Sequence, residues 1–435
     1  MPMNNELDTP LALKGRVLTF TDSPYNYNYW ETGCILIENG FINSVGDVSS
    51  VVIPEDAHIV NYGEDLILPG FIDGHVHYPQ MNVVASFGAK LIDWLNTFTF
   101  PEEAKFEDKS YASAVAKFFL NETLKNGYTT SAVFCTIHPE SVEAFFSEAE
   151  MLGLRMLAGK VLMDRNAPEN LRDTAQNSYD QSKELIDKWH NRQRSLYAIT
   201  PRFAPTSTPE QLEVAATLYK ENDGVYIQSH VSENVDEITW VAELFPRASS
   251  YLGVYNGFNL LGPRALYGHG IHFSDADIEM LKATDTSIVH CPTSNLFLGS
   301  GLFEYQKFSD IGARVAFGTD VGGGTSLSPF ITMKAAYEIA QLRNYSLSAF
   351  EAFYQLTLGG AKALHLDDKI GRIAPGYEAD LTVVNLKSTE MISNRMEHGN
   401  DLADILFFQI ILADDRAIRA TYANGKSVYL NKAIS

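Results

Sequence analysis

Eight short apolar runs, separated by longer stretches of good helix formers, govern what this chain can fold into. They lie at 71–77 (FIDGHVH), 128–134, 155–163, 196–203, 224–230, 265–270, 286–292 and 313–320. Strand-like runs alternating with helical stretches are the sequence form of a parallel α/β fold. Eight such units predict a (β/α)8 barrel. Cap signals support the helices between them: Asp108 precedes a run that ends at Asn126-Gly127, and Thr208-Pro209-Glu210 has the form of an N-cap followed by proline at the first helical position. Outside this region the pattern changes. Residues 10–62 are rich in β formers around an Asn39-Gly40 turn signal, and 371–386 and 420–430 return to β character, the latter around Asn424-Gly425. The expected organisation is a small β-sandwich built from both termini (1–67 and 368–435) around a barrel at 68–367. A long aromatic-rich loop at 78–107 is expected to cover the site.

Composition narrows the function classes. In 435 residues there are 33 Lys and Arg against 54 Asp and Glu, a formal charge of −21, so phosphate backbones and anionic membrane surfaces are repelled. Nucleic acid and membrane are therefore not expected partners. Three scattered cysteines, Cys34, Cys135 and Cys291, signal neither a disulfide framework nor a thiolate metal cluster. The first ten residues carry no basic region followed by an apolar stretch, and the apolar segment 405–413 is too short to span a bilayer. A cytoplasmic protein is the expectation.

His75 and His77, two apart at the end of the first barrel run, project to the same face, the geometry needed to hold one ion. An H-x-H pair alone is weak, since two polar residues at a strand end read equally well. The other runs change the balance. His230 closes the fifth, His269 the sixth and Asp320 the eighth, so all five side chains would surround the C-terminal mouth where barrel enzymes keep their active sites. Three imidazoles and a carboxylate suit a zinc-like divalent ion and leave a position for water. Glu233, just beyond His230, is assigned proton transfer; read locally it is equally a first-turn helix carboxylate favoured by the macrodipole. His138, His272 and His290 are left without a role. Lys160 is read as structural, its alternative being the bridging ligand of a two-metal hydrolase.

Together PGFIDGHVH, QSHVSE, HG at 269–270, HCPTSN at 290–295, GTD at 318–320 and GRIAPGYEADL resemble the amidohydrolase superfamily across nearly the whole chain. HYPQ, DWLNTFTFPEE, TPRFAPT, SHVSENVDE and FGTDVGGGTS are similar, more narrowly, to its deaminases acting on guanine. The resemblance implies one zinc ion per chain, with Fe2+ or Mn2+ in its place as the alternatives, held by His75, His77, His230 and Asp320. It implies that Gln80, Arg202, Phe203 and Glu233 meet a purine base, with His77, His230 and Asp320 also lining its site. His269 and Asp320 would stand beside the reacting water, and the assembly would be a homodimer. Rival readings are deamination of cytosine, a pterin or an aminotriazine, a two-metal cyclic-amide hydrolase, and an inactive barrel scaffold.

Overall fold

The computed structural model describes residues 9–87 and 91–432. Residues 1–8, read above for targeting signals, and 88–90 of the expected loop lie outside the described residues. Among the described residues, sixteen strands follow in chain order. β1 (Leu11–Phe20), β2 (Tyr27–Glu38), β3 (Phe41–Asp47) and β4 (His58–Pro69) come first. The second group is β5 (Phe71–His77), β6 (Tyr128–Phe134), β7 (Arg155–Gly159), β8 (Val161–Leu162), β9 (Ser195–Pro201), β10 (Tyr226–Val231), β11 (Ala265–His269), β12 (Ser287–His290) and β13 (Arg314–Phe317). β14 (Leu381–Val384), β15 (Ile418–Ala423) and β16 (Lys426–Leu430) close the series.

The middle group is the barrel. Its strands pair in parallel in the order β5-β6-β7-β9-β10-β11-β12-β13, with β8 adding to β9. The run expected at 155–163 is thus broken at Lys160. Residues of β5, β6, β7 and β9 are all buried, on both faces, which is why these runs read as continuously apolar rather than alternating. The seam between the last and first strands is joined above β13, where the Asp320 amide donates to the His75 carbonyl and the His77 amide to the Val321 carbonyl, each 2.8 Å. At the opposite end, Ile72, Leu157, Ala198, Tyr226 and Leu266 pack on Ala361, Leu364 and Ile370, so the barrel is plugged below and open only above. The predicted caps form: Asp108 accepts from the Ser110 and Tyr111 amides, and Thr208 from that of Gln211.

The flanking strands form one seven-stranded sheet, β16-β15-β14-β4-β1-β2-β3, so both ends of the chain meet. Its two tight hairpins, β2-β3 and β15-β16, turn on Asn39-Gly40 and Asn424-Gly425, all four residues having positive φ, as the Asn-Gly signal requires. Two expectations change. The described residues of the segment 78–107 are not a bare loop but include short helical turns, among them Tyr78–Val83, Leu91–Trp94 and Phe100–Glu103. Between β14 and β15 lie two helices, Glu390–Met396 and Leu402–Leu412, which the reading of β character missed.

A buried ion cluster ties barrel to sheet. Glu378 accepts from both Arg155, at the start of β7, and Arg194, just before β9, and Arg194 also donates to Asp380. Burial raises the Glu378 pKa, yet the two guanidiniums lower it further, to below its ordinary value. Replacing Glu378 by Ala strands the Arg155 charge and should cost about 3–5 kcal/mol, read as a fall in both unfolding temperature and urea midpoint. Because the folded pKa is depressed, the stabilisation is complete above the unfolded value, about 4.3, and fades as pH falls through the folded one. The gap between parent and variant should therefore narrow on acidification.

Candidate metal centre and active site

β5 carries His75 and His77 to the barrel mouth, β10 carries His230, β11 ends in His269, and Asp320 follows β13. The Nε2 atoms of His75 and His77 lie 3.2 and 3.1 Å from that of His230, and both lie 3.4 Å from Asp320 Oδ1. Ligands about 2.05 Å from a tetrahedral ion stand about 3.3 Å apart, so these four atoms have the spacing of a coordination shell. Burial, first, and the neighbouring imidazoles press His77 and His230 well below the ordinary histidine pKa. His75 is lowered by burial as well, against the pull of Asp320. The rings are thereby held neutral, the form that ligates a metal. His230 Nδ1 donates to the Arg202 carbonyl at 2.6 Å, which fixes the tautomer and turns the Nε2 lone pair towards the cluster. Asp320 also suffers burial, which raises its pKa, but His75, His269 and His77 outweigh this and keep it ionised. This donor set fits a divalent metal ion.

The backbone is shaped to allow the gathering. A Cβ on Gly268 would stand 2.7 Å from His75 Cε1, and one on Gly318 2.9 Å from His75 Cβ, so the glycines of YGHG and FGTD make room for the ring. His269 and Asp320 themselves sit at φ 77° and 49°, a left-handed conformation costly for non-glycine residues and recurrent at functional sites. Asp73 braces the seam: its carboxylate accepts from the His75 amide, the Thr319 amide and the Thr319 hydroxyl, and burial raises its pKa to about 7.

Beside the cluster, His269 Nε2 is 3.5 Å from Glu233 Oε2 and 3.8 Å from Asp320 Oδ2, while its Nδ1 is 3.0 Å from Asn295 Oδ1. Burial opposes protonation of His269, but the carboxylates prevail and its pKa rises. Glu233 is buried, which raises its pKa, and Ser300 donates to its Oε1 at 3.0 Å. Its amide donates to Glu237, a second buried glutamate whose pKa burial and the Glu233 charge push to about 7.

These groups floor a cavity at the barrel mouth. Gln80, Arg202 and Phe203 also line it, and Leu91, Trp94, Leu95 and Leu298 add apolar surface. All nine residues singled out in the sequence are thus brought to one place. Elsewhere, Lys160 pairs with Asp173, His290 stacks on Phe303 and His272 meets the Ser300 carbonyl. The reading missed Asp73, Glu103, Glu237, Asn295 and Ser300. Glu237 carries a signal that was available, a capping box with Asn234.

The model of the amidohydrolase family matches residues 66–428. The chain belongs to the amidohydrolase family. Members of this family are metal-dependent, in keeping with the donor set above. Among sequence relatives, a guanine deaminase of Escherichia coli strain K12 is 46% identical over 401 residues, covering 92% of this chain and 91% of its own. Among amidohydrolases of known structure, the E. coli guanine deaminase superposes with a TM-score of 0.93 at 43% identity, covering 98% of this chain and all of that one. The guanine deaminase of C. acetobutylicum with bound guanine gives 0.87 at 31% identity, covering 97% of this chain and all of its own. Among the described residues, no helix is long and apolar enough to cross a membrane.

Proposed function

We propose that this amidohydrolase is a guanine deaminase, converting guanine and water to xanthine and ammonia. The observation that carries the reading is one cavity lined by a buried carboxylate, Glu233, by the imidazole–carboxylate cluster beside it and by Arg202. The likeness to guanine deaminases along nearly the full chain supports it.

His75, His77, His230 and Asp320 would hold the ion, zinc in this reading, which would supply Lewis acidity towards water near neutral pH. The chain's own groups do the rest. Asp320 and His269 orient the attacking water over C2 of the base. Glu233 takes the first proton the water gives up and delivers it to the ring nitrogen, then carries the remaining hydroxyl proton from C2 to the leaving 2-amino group, so that the C2 carbonyl forms as the C2–N bond breaks and ammonia departs. Arg202 donates to the purine O6, Gln80 offers a donor and an acceptor to the base edge, and Phe203 packs against the ring. The same reading takes a homodimer as the working assembly and the cytoplasm as its compartment.

Purified, metal-quantified protein mixed with guanine should release ammonia and xanthine in equal amounts, and should act on cytosine, pterins and aminotriazines at least about 100-fold more slowly, the discrimination expected of a site built to hydrogen-bond its substrate. Preferred turnover of any of these rivals would replace guanine in this account.

A further inference from the structure

We propose that Glu103 is the positioning residue that sets base specificity, holding Gln80 and Arg202 in one fixed arrangement; the inference rests on the guanine-binding reading of the cavity. Glu103 ends the short helix Phe100–Glu103 and is 1% exposed. Its two oxygens are divided between the two proposed base readers: Oε1 accepts from Gln80 Nε2 at 3.0 Å and Oε2 from Arg202 Nη1 at 2.6 Å. Phe100, from the same turn, lies under the Arg202 guanidinium, 5.3 Å from ring centroid to Cζ.

The consequence for Gln80 is directional. Its Oε1 accepts from the Gly322 amide at 3.2 Å. One partner can only accept and the other can only donate, so the carboxamide cannot be reversed without setting oxygen against oxygen and N–H against N–H. Which heteroatom of Gln80 faces a ligand is therefore decided by Glu103 from one side and Gly322 from the other. The consequence for Arg202 is one of charge. A guanidinium buried beside a metal cluster would, unpaired, favour an anion; paired with Glu103 it is neutralised and offers its remaining N–H groups to a neutral carbonyl such as the purine 6-oxo group.

Glu103→Gln tests this. The substituted amide has one accepting oxygen and one donating nitrogen, so it can serve Arg202 or Gln80 but not both. The expected result is a loss of about 10- to 100-fold in kcat/KM for guanine, the range for a broken charge-assisted hydrogen bond, carried mainly by KM. 2-Aminopurine has the same scissile amine but no 6-oxygen for Arg202 to read, so its kcat/KM should fall far less, and the ratio of the two substrates collapses. Metal content should stay at the parental level. Equal losses on both substrates would mean that Glu103 merely supports the fold, and no loss on guanine would mean that the readers hold themselves; either overturns the inference. Glu103→Asp keeps both accepting oxygens on a shorter arm and should retain part of the ratio. It is the deciding variant if Glu103→Gln does not fold, and there a proportional loss on both substrates overturns the inference. A parental enzyme inert towards guanine would remove the functional reading itself, a result distinct from any of these.

Discussion

Glu233→Gln should bind metal at the parental stoichiometry and lose about 10²- to 10⁴-fold in kcat, the range for removing a positioned proton carrier. Glutamine is close to isosteric with glutamate, and its oxygen can still accept the Ser300 hydroxyl that now meets Glu233 Oε1. The backbone contact from residue 233 to Glu237 is untouched by the change. What disappears is a group 3.5 Å from His269 that can take and release a proton. KM should move little, because base recognition rests mainly on Gln80 and Arg202. Steady-state kinetics on guanine with parallel metal analysis checks both halves. A variant that deaminates at the parental rate would return Glu233 to its plain alternative, a helix-terminal carboxylate, and pass the proton to His269 or Glu237.

The metal cluster was legible because a parallel barrel turns sequence position into spatial position: the end of each strand is at the mouth, so histidines and an aspartate at run ends converge however far apart they lie. The wall of the cavity was only half legible. Arg202 and Phe203 follow a strand and could be placed, whereas Glu103 sits 26 residues beyond His77 in a segment whose course over the mouth is fixed by tertiary packing alone, Phe106 against Tyr78 among other contacts. The helix Leu402–Leu412 escaped for another reason. Its ILFFQIIL stretch is apolar on every side, so no helical period rises above a strand-like run. Asp73 escaped because its function is to brace the seam, a pairing with Thr319 across 246 residues that no local pattern records.

Removing the metal should abolish deamination outright, and one equivalent of zinc per chain should restore it. The cluster explains why the effect is all-or-none rather than graded. Four donor atoms, from His75, His77, His230 and Asp320, stand 3.1–3.4 Å apart, the spacing at which one ion would satisfy all of them together. Protonation could fill one such gap, but burial disfavours it at His75, His77 and His230. The bound ion therefore supplies stability as well as reactivity: an ion at about 1,000 times its Kd stabilises the native state by about 4 kcal/mol, so the stripped protein should also unfold at a lower temperature. His230→Ala should reproduce both effects without a chelator, since it deletes the nitrogen that His75 and His77 share as nearest neighbour. Stoichiometry separates the rival. Two equivalents per chain would favour a two-metal hydrolase, although Lys160, the residue that would have to bridge the pair, is occupied with Asp173. A fully chelated, folded preparation that deaminates guanine undiminished would end the metal-dependent account.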